Sequence, residues 1–143
     1  MIRTALVLAG LGLGLTAVMA QSNPIAERQQ TMKAVGAATR EGAAMAKGEA
    51  AFDAAKAQAV FKTYADAAKK MPGLFPDSSK TGGETTAAPK IWEDQAGFKA
   101  AFVKFEADAT AGASAANLDA FRTAFGAATK NCGTCHEVFR IKK

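Results

Sequence analysis

Asn117-Leu118-Asp119-Ala120-Phe121-Arg122-Thr123-Ala124-Phe125-Gly126-Ala127-Ala128-Thr129-Lys130-Asn131-Cys132-Gly133-Thr134-Cys135-His136-Glu137-Val138-Phe139 is the stretch that decides the reading of this chain. Leu118, Phe121, Phe125, Ala128, Cys132, Cys135 and Phe139 follow one another at spacings of 3, 4, 3, 4, 3 and 4. That is an unbroken heptad seam, the pattern of a helix with one buried face. Asn117 stands where an N-cap belongs, because its short side chain can accept from the free amides of the first turn. Both cysteines continue the seam, so whatever they hold lies against the interior of a helical assembly.

Cys132-Gly133-Thr134-Cys135-His136 contains the only two cysteines and the only histidine of the 143 residues. Cys-x-x-Cys-His is the attachment signature of c-type haem. Two thiols add across the vinyl groups to give two thioethers, and the adjacent imidazole offers the iron an axial nitrogen. Three residues of helix bring both sulfurs to one face, and the next residue points at the metal. We therefore expect one haem c, bound covalently through Cys132 and Cys135 with His136 on the iron. Other readings fit less well. Structural zinc needs four protein ligands, a thioredoxin-like pair wants a βαβ setting that is missing here, and a plain disulfide leaves His136 unexplained.

The ends bound the compartment. Met1-Ile2-Arg3 is a short basic start, Ala5 to Val18 is an apolar run, and Val18-Met19-Ala20 offers the small residues at which a leader is cut. Residues 1–20 read as a signal peptide, cleaved before Gln21. A retained anchor is the alternative, but the run falls short of the roughly 18 residues of a membrane span. Cleavage leaves 123 residues as one domain, 21–143, and removes only Arg3, taking the formal charge from +5 to +4. Export suits c-type haem, which is attached outside the cytoplasm, so we expect a periplasmic protein without membrane or nucleic-acid partners.

The remainder is rich in Ala and Lys, with Glu among its helix formers, and β-branched residues are few, a composition that favours helix. Asn23-Pro24 opens a first helix that Gly48 closes, with Ile25, Met32, Val35 and Thr39 facing inward. A second is expected from about Glu49 to Lys70 with Phe52, Ala59, Val60 and Tyr64 inward. A third runs from about Asp94 to Ala111 on Phe98, Phe102 and Phe105. Together with the seam helix they read as an all-α, antiparallel up-down-up-down four-helix bundle. The connection from Met71 to Glu93 is too long for an idle turn. Its apolar residues Leu74, Phe75, Ile91 and Trp92 are expected to close one end of the bundle, partly against the haem; simple packing under a crossover loop is the alternative.

In such a bundle the end of the fourth helix lies level with the start of the first. The Cys132–His136 segment stands about seven to ten residues above the C-terminus, roughly 10–16 Å of helix. A partner at matching depth on the first helix falls near residues 31–35, where Met32 sits. Thioether sulfur is a soft ligand that suits haem iron, though methionine on an apolar stripe also serves as core filler. Depth alone leaves both roles open.

The pattern resembles the class II c-type cytochromes, the cytochrome c′ superfamily, over essentially the whole mature chain. The likeness rests on Cys132-x-x-Cys135-His136 near the C-terminus of a four-helix bundle, Arg28-Gln29 on the first helix, Ile91-Trp92-x-Asp94 with Phe98, and Phe121-x-x-x-Phe125-Gly126. Met32-Lys33-x-x-Gly36 looks most like the low-spin cytochrome c-556 branch, in which a methionine at this place is the sixth ligand. The resemblance implies that Arg28 contacts a haem propionate and that Arg140 stands beside the proximal histidine. Gln29, Trp92, Phe125 and Phe139 are expected around the haem pocket.

The implied role is single-electron transfer with His136 and Met32 on the iron, and not enzymic catalysis, since no second histidine remains for acid–base work. The alternative is a five-coordinate cytochrome c′ that binds NO or CO at a vacant iron face. Basic residues exceed acidic ones at the expected haem end, which would steer redox partner proteins with an acidic docking surface. Superfamily members also pair through the first two helices. Ala34, Ala37, Ala38, Ala43 and Ala44 would permit such a homodimer, and would equally permit tight packing within one bundle.

Overall fold

The computed structural model describes residues 23–142; the signal-peptide expectation for residues 1–20 lies outside them. The described chain is all helical apart from one isolated bridge. Four long helices carry the fold: α1 (Pro24–Lys47), α2 (Ala54–Lys70), α4 (Gln95–Gly112) and α5 (Leu118–Phe139), with α3 (Lys90–Glu93) a single turn. α1 packs on α2 and α5, and α4 packs on α2 and α5. This is the expected four-helix bundle.

Local chemistry sets the helix ends. The Asn23 side chain accepts from the Ile25 and Ala26 amides, each at 3.1 Å. Gly48 closes α1 at φ 79°, a left-handed cap that glycine adopts without a steric penalty. Asp94 caps α4 through the Gly97 amide at 2.9 Å, and Asn117 caps α5 through the Ala120 amide at 2.9 Å. The second helix departs from expectation by starting at Ala54 and not at Glu49. The left-handed turn at Gly48 sends the chain away, and helix restarts only where Asp53 accepts from the Lys56 amide at 3.0 Å.

The interior is aromatic. Tyr64, Phe61 and Phe121 are fully buried, and Phe61 meets Phe121 with ring centroids 5.7 Å apart. Within α2 the expected face is corrected by one position: Ala59 is exposed, whereas Ala57, Val60, Phe61 and Tyr64 are buried. Phe52 precedes the helix and packs half-buried against Phe121. On α1, Val35 is buried, while Ile25, Met32 and Thr39 are half-buried.

Gly42 is buried on α1 where a Cβ would overlap the Phe125 ring. The ring has little room to yield, because it stacks on Phe121 and Tyr64 with centroids 5.4 and 6.4 Å away. Gly42→Ala is therefore expected to destabilise the fold by about 1–2 kcal/mol, overpacking outweighing the gain in helix propensity. Gly126→Ala, exposed on α5 with nothing within 4 Å of the added carbon, should instead stabilise by about 0.5–1 kcal/mol. Urea unfolding of the pair checks both signs.

Thr39 donates its hydroxyl to the Val35 carbonyl at 2.8 Å and shares a second hydrogen bond with the Tyr64 phenol, also 2.8 Å. Burial pushes the Tyr64 phenol up to about 12. The unfolded chain ionises this tyrosine near pH 10, so between there and about 12 the unfolded state binds fewer protons than the folded one. Stability supplied by Tyr64 is thus complete below pH 10 and falls by about 3 kcal/mol as pH rises through the folded value. Unfolding free energies at pH 8, 10 and 11.5 should show this loss, and Tyr64→Phe should remove that component of it.

The long connection closes one end of the bundle, as expected. It forms short 3-10 turns at Met71–Leu74 and Asp77–Ser79 before reaching α3. Beyond them it is laced to the end of α5. The Ala88 amide donates to the Phe139 carbonyl at 3.0 Å, and the Ile141 amide donates to the Thr86 carbonyl at 2.8 Å. Trp92 donates its indole N–H to the Phe75 carbonyl at 3.0 Å, and the two rings meet edge to face.

Candidate functional site

Between α1, α5 and this connection lies a cleft of about 1090 Å³, large enough for a sizeable planar ligand. α5 contributes Cys132, Cys135 and His136; α1 contributes Arg28, Gln29 and Met32. The depth argument placed Met32 level with the cysteine–histidine segment, and the two do share one cavity. Phe139 and Arg140 complete the α5 wall.

Both cysteines are free thiols, half-buried on one side of α5. Burial raises both above the ordinary thiol range, so they stay protonated at neutral pH. His136 is held below its ordinary value by burial and by the nearby Arg140 cation, which leaves the ring neutral with a nitrogen lone pair. Among the described residues, no three of His, Cys, Asp and Glu converge as a structural zinc ion requires. Just before the first cysteine, Asn131 donates to the Asp108 carboxylate at 2.7 Å and ties α5 to α4.

Arg28 gives the cleft its most telling feature. It is 6% exposed, and its Nη2 donates to the Ser79 carbonyl at 3.1 Å while Nε reaches the Pro24 carbonyl at 3.3 Å. The guanidinium lies 4.4 Å over the Phe75 ring. Its Nη1 is buried without any hydrogen-bond partner. A buried charged donor left unpaired is costly, and a carboxylate of a bound cofactor would satisfy it. A haem propionate fits that description, so the residues present suit the group that the cysteine motif implies. Burial also pulls the Arg28 guanidinium below its ordinary value, a cost that an anionic partner would offset.

Two expected pocket residues do not line the cleft. Phe125 is buried in the aromatic core, stacked on Tyr64, because α5 turns that position toward α2. Trp92 stands behind Phe75, which itself lines the cavity. Gln29 lines the mouth, with its amide donating to the Glu84 carbonyl to hold the connection in place. Phe75 and Ile91, expected to close the bundle partly against the haem, do line the cavity, whereas Phe98 and Phe102, read only as core, line it as well. Met71, a second and buried methionine, borders the same cavity.

The basic excess is redistributed by contacts. Lys62, Lys69, Lys70, Lys80 and Lys90 each hold a carboxylate within 4.0 Å. Arg40 lines the cleft. Among the described residues no helix is long and apolar enough to cross a membrane.

Known proteins of this kind are recognisable by sequence and by shape. The family model for cytochrome c′ matches residues 23–140. A cytochrome c′ of Rhodopseudomonas palustris is 46% identical over 132 residues, 92% of this chain and 90% of the relative. A cytochrome c-556 of the same organism is 37% identical over 149 aligned positions, spanning 100% and 99% of the two chains. The solved structure of cytochrome c′ from Rhodopseudomonas palustris superposes with a TM-score of 0.82 at 46% identity, covering 86% of this chain and 99% of that one. Relatives of both names therefore share the fold. The matched span takes in every described helix, and the chain belongs to the cytochrome c′ family, which comprises haem proteins and not enzymes.

Proposed function

We propose that this protein is a periplasmic one-electron carrier holding a single haem c through thioethers at Cys132 and Cys135, with His136 and Met32 as its axial ligands. The supporting observation is that Met32 and His136, on different helices, border one cleft beside both cysteines. The bound haem supplies an iron that cycles between ferric and ferrous states. Cys132 and Cys135 tether it, and the neutral His136 ring offers a nitrogen. Met32 presents a soft sulfur, which favours the reduced state and raises the potential. If Met32 and His136 both held the iron, little rearrangement would accompany electron transfer and no open site would remain for a substrate. Arg28 would meet a propionate through its unpaired Nη1, and Phe75, Phe98 and Phe102 keep the cavity apolar. Export agrees with c-type haem attachment, and the basic side chains near the cleft suit an acidic protein partner.

The higher identity to cytochrome c′ than to cytochrome c-556 favours a second reading. In it Met32 packs beside the iron without bonding, and the vacant face binds NO or CO. Both readings require covalent haem. Haem should survive acid–acetone extraction of the holoprotein, and a redox titration should give one reversible one-electron wave. Freely extractable haem, or no reversible wave, would overturn the carrier assignment.

A further inference from the structure

We propose that electrons enter and leave at the C-terminal end of α5, where Val138 and Ile141 form the apolar centre of a docking surface for an acidic redox protein. The inference rests on the carrier reading above and locates its contact. Among the described residues three large apolar side chains stand exposed: Val103 at 67%, Val138 at 46% and Ile141 at 48%. Two of the three lie within five residues of His136. A lone exposed valine is ordinary on any protein surface, whereas a pair beside the functional group marks a contact.

Ile141 is held in place and not left as a loose end. Its amide pairs with the Thr86 carbonyl, and Arg140 bridges Ala87. The backbone therefore fixes an isoleucine at the surface just past the end of the helix that carries His136. Charge then identifies the partner. Arg140, Lys142 and Lys130 are exposed, and none has a carboxylate within 4.0 Å among the described residues. Five other lysines near this end of the bundle are each paired. Glu137 is the one acidic residue between His136 and Lys142. An apolar centre with uncompensated cations around it fits an apolar spot ringed by carboxylates. A second copy of this chain would bring like charges together. Rim charges govern encounter and its salt dependence, and a small apolar contact suits a transient complex.

The test uses the ferric holoprotein and a reduced plant-type ferredoxin, an acidic protein that gives up one electron to the iron. Stopped-flow reduction of the native protein should slow as ionic strength rises. Lys142→Glu should slow it about tenfold at low salt and flatten the salt dependence. Val138→Ser with Ile141→Ser should slow it several-fold while leaving the salt dependence, whereas Val103→Ser should match the native protein. Reduction by dithionite reports on the carrier reading separately: failure there, or no reversible potential, removes that reading. Normal dithionite reduction with Lys142→Glu and the double variant both at native rates toward ferredoxin would overturn the docking surface alone. Salt-independent self-association through this end, abolished by the double variant, would also overturn it.

Discussion

Met32→Ala is expected to convert the holoprotein from a six-coordinate, low-spin haem to a five-coordinate, high-spin one. The reduced α band should broaden, the potential should fall, and CO should bind more rapidly than to the native protein. The reason lies in the cleft: with the soft sulfur gone, alanine leaves the iron face open, and loss of a Met/His pair removes the preference for the ferrous state. Met71 supplies the control. It borders the same cavity but is buried in the apolar cluster at the end of α2. Met71→Leu, a volume-conserving change, should keep the native spectrum and lose less than about 1.5 kcal/mol of stability. Absorption spectra of the two variants, with and without CO, separate the ligand from the filler.

Phe121→Ala should cost about 3–5 kcal/mol of folding stability, the range for emptying a well-packed aromatic site. Phe121 is fully buried, and its ring meets those of Phe52, Phe61 and Phe125 at centroid distances of 5.9, 5.7 and 5.4 Å. The damage should stop short of the haem, because Phe121 does not line the cleft. Urea unfolding should therefore show a large loss while the folded fraction keeps the native absorption spectrum. A shifted spectrum at low urea would mean that the aromatic core and the ligand set are coupled.

These two residues also show what the sequence could reveal. Phe121 and the cysteines sit on one uninterrupted heptad seam, so the buried face of α5 and its cofactor were both readable. Helix starts were readable at Asn23, Asp94 and Asn117, where a capping side chain stands next to the apolar pattern. The start of α2 was not, because Glu49-Ala50-Ala51-Phe52 has good helix formers and only the turn at Gly48 and the Asp53 cap exclude it. Alanine-rich helices blur the contrast between faces, so Ala59 was expected inward while it is exposed, and the buried Phe61 was left out. Phe125 was expected in the pocket from the resemblance, but its place on the seam names a buried face without saying what covers it, and the aromatic core covers it. Arg28 carried a weak signal: an arginine near a helix start is ordinarily solvated, and only the folded chain brings Ser79 and Phe75 around it. The bridge between Ala87 and Arg140 is a single backbone pairing and leaves no pattern to read.

The absorption spectrum of the native holoprotein, reduced and then exposed to CO, tests the central claim most directly. A sharp low-spin α band that CO leaves unchanged on rapid mixing is the result expected when Met32 and His136 both hold the iron. A broad high-spin spectrum with immediate CO binding would contradict it and make the protein a gas-binding cytochrome c′.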